Sequence, residues 1–220
     1  MKVLLFTPTW TKRLSNPFFE PVRQAHRNMK GITEYLTDDS VQSGDGLCDA
    51  YERAITAASE KGFDYLLILE DDEALPEDAA LRFQEVAEET DNTIYGAVKS
   101  LRCKPPVHTP WRWIWMHPDN SPLGHPINDG VARIEQIYPS PIRSVKIRGG
   151  IITSPMFVNV EWFRGRGLRF RQETERHFAG MLNGWDTTLS KDLDWKQLHF
   201  WACPFISAKH YDEQRQEIIT

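Results

Sequence analysis

Glu70, Asp71, Asp72 and Glu73 follow one another directly after the apolar run Leu66 to Leu69, in the stretch LLILEDDEALPED. Like charges this close repel, and each raises the pKa of its neighbours unless a cation or hydrogen-bond donors compensate them. A buried run on one side and four acids on the other therefore call for a positive partner at the junction. Two chemistries fit. The acids can form a solvated loop that also caps a helix opening near Pro76. Alternatively, a carboxylate pair can hold a divalent cation through oxygen ligands, and the cation can neutralise a diphosphate.

Position decides how much weight the second chemistry carries, and the flanking pattern supplies it. Lys2 to Thr7 is an almost unbroken apolar run stopped by Thr-Pro-Thr, the pattern of a buried parallel strand. Pro17 to Met29 can form a helix, and Ile32 to Thr37 a weaker strand that ends at Asp38 and Asp39. Leu47, Ala50, Tyr51, Ala54, Ile55 and Ala58 recur at helical spacing, with Lys61-Gly62 as a cationic last turn and C-terminal glycine. Phe63 to Leu69 is the next strand, and Pro76 opens a helix whose apolar face is Ala79, Ala80, Phe83, Val86 and Ala87. Thr93 to Val98 is a further strand. Such alternation predicts an α/β fold with a mainly parallel sheet and right-handed crossovers. Ligands in these sheets bind at the carboxyl ends of strands. Thr7-Pro8-Thr9, Asp38-Asp39 and the four acids all fall at such ends.

Downstream the texture changes. Ser100 to Pro141 is rich in prolines and includes WRWIWMHP, which reads as long loops and short strands. Ser144 to Val160 resumes strand-like alternation around Gly149-Gly150, Phe178 to Leu193 is mainly helical, and Leu198 to Ile206 is a last strand before Lys209-His210-Tyr211.

The 220 residues, 40% hydrophobic and 26% charged, suit one globular domain with an adequate core. No apolar run approaches the roughly 20 residues that cross a bilayer, and MKVLLFTPTW reads as a first strand, not a signal peptide. Cys48, Cys103 and Cys203 are odd in number and widely spaced, which predicts reduced, buried thiols in a cytoplasmic setting and argues against zinc. The net charge of -5 conceals a division: residues 31 to 95 hold 3 basic against 18 acidic residues, and residues 99 to 171 hold 12 basic against 4 acidic. Two surfaces with different partners are implied.

Four segments in order resemble the GT-A glycosyltransferases, the family 2-like enzymes in particular. LLILEDDEALPEDAALRF is similar to the DxD motif that follows an apolar strand, though it reads E-x-D from Glu70 to Asp72. RGGIITSPMFV, from Arg148 to Val158, resembles the glycine-paired segment before the acceptor loop. NGWDTTLSKDL, from Asn183 to Leu193, resembles the ED-type helix start with one acid missing, and PFISAKHYD, from Pro204 to Asp212, the late strand ending in a histidine. The resemblance implies one GT-A domain over residues 1 to 220, with a nucleotide-sugar-binding half (1–98) and an acceptor-binding half (99–220). It implies that Asp72 binds the metal, that Glu70 or Asp71 supports it or reaches the ribose, and that His210 is a further ligand. An imidazole ligand favours Mn²⁺ over Mg²⁺. Asp186 is then the general base for inverting transfer, or a helix N-cap, or both. Thr7, Pro8 and Thr9 would lie beside the nucleobase of the donor, a UDP-sugar as first expectation, with Asp38 or Asp39 on base or ribose. Arg53, Gly149, Gly150 and Trp185 complete the expected nucleotide-sugar site.

The basic segment suits a phosphate-rich acceptor, and Trp111, Trp113 and Trp115, interleaved with Arg112, could stack on bases or sugars, or line one buried face of a strand. A nucleic acid is the leading acceptor, for example a hydroxymethylated base presented flipped or single-stranded. A glycan, a protein side chain or a small molecule is the alternative. A nucleotidyltransferase would ordinarily carry a glycine-rich loop after the first strand, and TPTWTKRLSNP has no glycine. A noncatalytic nucleic-acid-binding module would not need Asp72, Asp186 and His210 together.

Overall fold

The computed structural model describes residues 1–41, 45–99, 144–147, 154–172, 185–214 and 216–219. β1 (Val3–Pro8) is buried along its whole length and leads through two short 3-10 turns, Thr11–Arg13 and Pro17–Phe19, into α1 (Glu20–Arg27). The helix expected from Pro17 is thus split. Pro21 sits in the first turn of α1, where a missing N–H removes no helical bond. β2 (Glu34–Asp38), α2 (Asp45–Glu60) and β3 (Tyr65–Ile68) follow. α2 ends at Glu60, so Lys61 lies just past a last turn that holds no basic residue, but the glycine acts as its sequence predicts: Gly62 takes φ +69°, its N–H donates to the Ser59 carbonyl at 3.2 Å, and the Phe63 N–H donates to the Ala58 carbonyl at 2.9 Å. These two bonds satisfy carbonyls the helix leaves open, and glycine reaches that φ without a Cβ clash.

The acidic run is not a plain loop. Glu73 and Ala74 form a short strand, β4 (Glu73–Ala74), which the sequence does not announce. α3 (Ala79–Glu89) starts three residues after Pro76, whose carbonyl accepts the Ala79 N–H at 3.0 Å. Glu77 pairs with Lys30 at 3.1 Å; Asp78 stands at the N-cap, but its carboxylate pairs with Arg82 at 2.7 Å and makes no capping bond. β5 (Ile94–Lys99), β6 (Val145–Ile147), β7 (Met156–Asn159) and α4 (Val160–Gly165) come next, then α5 (Trp185–Trp195), β8 (Phe200–Asp212) and β9 (Glu217–Ile219). The WRWIWMHP stretch, Cys103, Gly149-Gly150 and Phe178 to Gly184 lie outside the described residues.

The sheet runs β2-β1-β3-β7-β5-β8-β4, with β6 and β9 also pairing to β8. β1 is parallel to β2 and β3, and β5 is parallel to β8, while β7 lies antiparallel to both β3 and β5. Five of the six central strands therefore point the same way, with β7 reversed. Helices cover both faces, so alternate residues of one strand enter different cores. Leu4, Phe6, Leu66 and Ile68 pack with Tyr51, Ala54 and Ile55 of α2, and Val3, Leu5, Tyr65 and Leu67 with Ala79, Phe83 and Ala87 of α3. This double coverage is why β1 and β3 read as unbroken apolar runs. Among the described residues no helix is long and apolar enough to cross a membrane.

Phe157 of β7 is fully buried, its ring stacked between Tyr65 at 4.4 Å and Phe83 at 5.2 Å. On the same face α1 is pinned by His26, also fully buried. Its Nε2 lies 2.7 Å from the Glu73 carbonyl, so Nε2 carries the proton; Nδ1 then accepts from the Thr7 hydroxyl at 3.2 Å. Burial pushes this imidazole down from 6.5 to about 4, outweighing the Glu73 carbonyl and carboxylate that favour its charge.

Two stability measurements follow from these contacts. Phe157→Ala removes a stacked ring from a core that cannot collapse around it, and should lower the unfolding free energy in urea by about 3–5 kcal/mol; a loss below about 1 kcal/mol contradicts the packing described. His26 is neutral when folded and takes up a proton more readily when unfolded. Its contribution is full above pH 6.5 and is lost as pH falls towards 4, amounting to about 3 kcal/mol across that window. The nontitrating variant His26→Gln should flatten that part of the stability curve, and an unchanged slope excludes His26 as its source.

Candidate active site

The carboxyl ends of β1, β2 and β3 lie level along one edge. Pro8 pairs with Asp38, the Thr9 N–H donates to the Asp38 carbonyl at 2.8 Å, and the Leu69 N–H donates to the Phe6 carbonyl at 3.0 Å. The acids thus leave the sheet at the edge where α/β folds bind ligands. Across this edge β8 delivers the end of the chain. It continues past its pairing with β5 after a register shift at Ala97/Val98, where Pro204, which has no N–H to give the ladder, falls in the irregular stretch. β8 then pairs with β4, setting His210 opposite Glu73, and the Tyr211 N–H donates to the Asp72 carbonyl at 2.7 Å. His210 therefore lies inside the strand, not after it.

The four acids tolerate one another because each side chain has a compensating donor, and Asp71 and Asp72 share one, Arg13. The Glu73 N–H donates to the Glu70 carbonyl at 3.1 Å, closing a tight turn. Glu70 accepts from the Tyr51 hydroxyl at 3.1 Å. Glu73 is fully buried and accepts from the Ser154 hydroxyl at 2.6 Å and from the Glu70 N–H at 3.3 Å. Asp71 accepts from the Trp10 N–H at 2.7 Å and from Arg13. Asp72 Oδ2 is 3.0 Å from the same Arg13 Nη1 and 3.6 Å from His210 Nε2.

Arg13 is the residue that sequence reasoning missed. The turn Thr11–Arg13 folds its guanidinium back over the acids, and the Trp10 and Phe19 rings stand 5.3 and 5.0 Å from it. Burial opposes the charge on Arg13, but Asp72 and Asp71 outweigh it and hold it above its ordinary value. Burial also pushes the Asp71 carboxyl up, against the pull of Arg13 and the Trp10 N–H. The only sequence signal was a basic pair, Lys12-Arg13, just beyond the first strand.

One ligand atom each from Glu70, Asp72 and Glu73 can be chosen so that all lie within 4.8 Å of one another. Two groups bound to one ion, each about 2.1 Å from it, stand roughly 3–4 Å apart. The 3.6 Å between Asp72 Oδ2 and His210 Nε2 falls in that span. Carboxylates with one imidazole are a donor set for Mn²⁺ or Mg²⁺, so the residues fit a divalent cation. Glu73 was not among the ligands expected. Its i+3 spacing from Glu70 was the available sign, but an acid at the mouth of a strand normally points to water.

Of the residues expected at the nucleotide-sugar site, Thr7, Pro8, Thr9, Asp38 and Asp39 lie at or just past the ends of β1 and β2. Thr7 is turned inward to His26, and the Thr9 hydroxyl donates to the Thr7 carbonyl at 3.4 Å. Asp38 accepts from Arg53 at 2.6 Å, while Asp39 is exposed and its carbonyl takes the Thr11 hydroxyl at 3.1 Å. Beside them Trp10, Thr11, Lys12 and Val41 line a cavity of about 300 Å³, with the Lys12 ammonium 4.9 Å from the Trp10 ring centre. Trp185 and Asp186 both lie within α5, so Asp186 is a helical residue and not an N-cap. The side chains of both, and Gly149-Gly150, lie outside the described part.

No family model matches the sequence, and no curated protein matches it. Solved structures do resemble the fold. A197 from STIV superposes with a TM-score of 0.56 at 12% identity, over 100% of this chain and 93% of that one. S. aureus TarS 1-349 gives 0.52 at 9% identity over 94% of this chain, and its complex with UDP-GlcNAc gives 0.52 at 8%. The chain spans 60% of the TarS fragment's length. With identities this low the likeness is one of fold, and the fold is GT-A-like.

Proposed function

We propose that the chain is a metal-dependent glycosyltransferase that moves a sugar from a nucleoside-diphosphate sugar to an acceptor hydroxyl, with inversion. The observation that carries this is the meeting of Asp72, from the middle of the chain, with His210, near its end, at 3.6 Å on the ligand-binding edge of a GT-A-like sheet. Glu70, Asp72, Glu73 and His210 would hold Mn²⁺ or Mg²⁺. When bound, such an ion neutralises the negative charge that grows on a departing nucleoside diphosphate. Residues 1–98 serve the donor and 99–220 the acceptor. Trp10, Lys12, Asp38, Asp39 and Arg53 bind and orient the nucleotide, for which UDP is the first choice, as in the TarS complexes with UDP-GlcNAc and UDP. Trp185, Gly149 and Gly150 border the sugar. Asp186 takes the proton of the acceptor hydroxyl as the anomeric carbon is attacked.

The acceptor is a nucleic acid in this reading, on the strength of the basic 99–171 segment. Cys48 and Cys203, both buried as thiols, suit a reducing cytoplasmic setting.

A panel of nucleotide sugars with Mn²⁺ should release nucleoside diphosphate in the presence of acceptor. Asp72→Ala and His210→Ala should each abolish metal-stimulated release; full activity in either removes that residue from the site. Asp186→Asn keeps the shape and loses the base, so turnover should fall about 10²–10⁴-fold, and normal turnover refutes the role. DNA binding should weaken steeply with salt, whereas no binding to any polynucleotide ends the nucleic-acid acceptor.

A further inference from the structure

We propose that Arg13 is a built-in counter-cation that shares Asp72 with the divalent ion, giving up this carboxylate when the ion enters and falling back on Asp71 and Glu213. The inference rests on the metal site proposed above and adds a residue that sets its affinity. One nitrogen, Nη1, bridges Asp71 Oδ1 and Asp72 Oδ2, the latter at 3.0 Å. Asp72 Oδ2 is also the atom that faces His210 Nε2 at 3.6 Å, so the guanidinium and an ion held between Asp72 and His210 compete for one oxygen. Positive charges within a few ångströms in a buried pocket repel strongly.

The guanidinium has somewhere to go. Its Nε is 3.7 Å from Glu213 Oε2, a carboxylate just past β8 that also accepts from Asn16 Nδ2 at 3.3 Å. A cavity of about 260 Å³ opens beside it, lined among others by Thr7, Thr9, Tyr35 and Asp71. The Arg23 guanidinium holds the Arg13 carbonyl at 2.9 Å, so the backbone stays fixed while the side chain shifts. Without an ion, Arg13 neutralises two buried acids that would otherwise repel. With one, it keeps Asp71 and Glu213 and leaves Asp72 to the metal.

The two partners give opposite signs, measurable on the protein with Mn²⁺ alone by calorimetry or by the free-ion electron paramagnetic resonance signal. Arg13→Gln removes the competitor and should bind Mn²⁺ about tenfold or more tightly. Glu213→Gln removes the fallback anchor, holds Arg13 on Asp72, and should bind it severalfold more weakly. Glu213 is partly exposed, so this variant tests the inference even if Arg13→Gln fails to fold. Affinities within twofold of the wild type in each folded variant, or weaker binding by Arg13→Gln, overturn the inference and leave the metal site standing. If the wild type binds no Mn²⁺, or Asp72→Ala binds it equally, the metal site falls and takes the inference with it.

Discussion

Four consecutive carboxylates at the end of a buried strand can exist only if each is compensated, and the structure around them is organised to do this. A tight turn links Glu70 to Glu73 through the Glu73 N–H and the Glu70 carbonyl. Tyr51 of α2 meets Glu70, Ser154 meets Glu73, and Arg13 serves Asp71 and Asp72 together. None of these partners is near the acids in sequence. A helix face, a segment beside β7 and a turn after β1 must all be in place before the run can be buried. Removing one partner of a buried ion pair leaves an uncompensated charge, at a cost of about 3–5 kcal/mol. The site is therefore coupled to the assembly of the sheet.

That coupling also separates what the sequence makes legible from what it hides. The unbroken apolar runs at Val3 to Phe6 and Leu66 to Leu69 can be read as doubly covered strands because both faces of the sheet are packed. The spacing of Leu47 to Ala58 can be read as α2 because only one face of that helix is. Asp72 and His210 were picked out by a resemblance spread over four segments, and the fold brings them together. Arg13 could not be found this way. Its role arises from a 3-10 turn that bends it back over the acids, and turns of this kind leave no periodic trace. Glu73 was hidden for a related reason: pairing of β4 with β8 turns it inward, and a two-residue strand is too short to show alternation.

Position within the sheet also explains how one edge holds groups of opposite character. The acids lie on segments 31 to 95, whose strong negative balance is offset locally by Arg13 and Arg53, while the helix-borne hydroxyl of Tyr51 donates a hydrogen bond to Glu70. β7 is the only one of the six central strands to run backwards, and it sits between β3 and β5. Its reversal carries the chain back along the sheet to α4, and leaves β8 free to enter beside β5 from the same end as the first strands.

β8 has a consequence for how the molecule comes into being. Its partners β5 and β4 are made long before it, and neither can complete its ladder until the last stretch of polypeptide arrives. Pairings this distant along the chain close late, because the intervening loop must first surrender its freedom. On the ribosome the acidic turn must therefore wait, with the strand that carries His210 still unsynthesised, and a chain halted shortly before Phe200 would hold the first strands of the sheet yet leave Glu73 and Ala74 without their antiparallel partner.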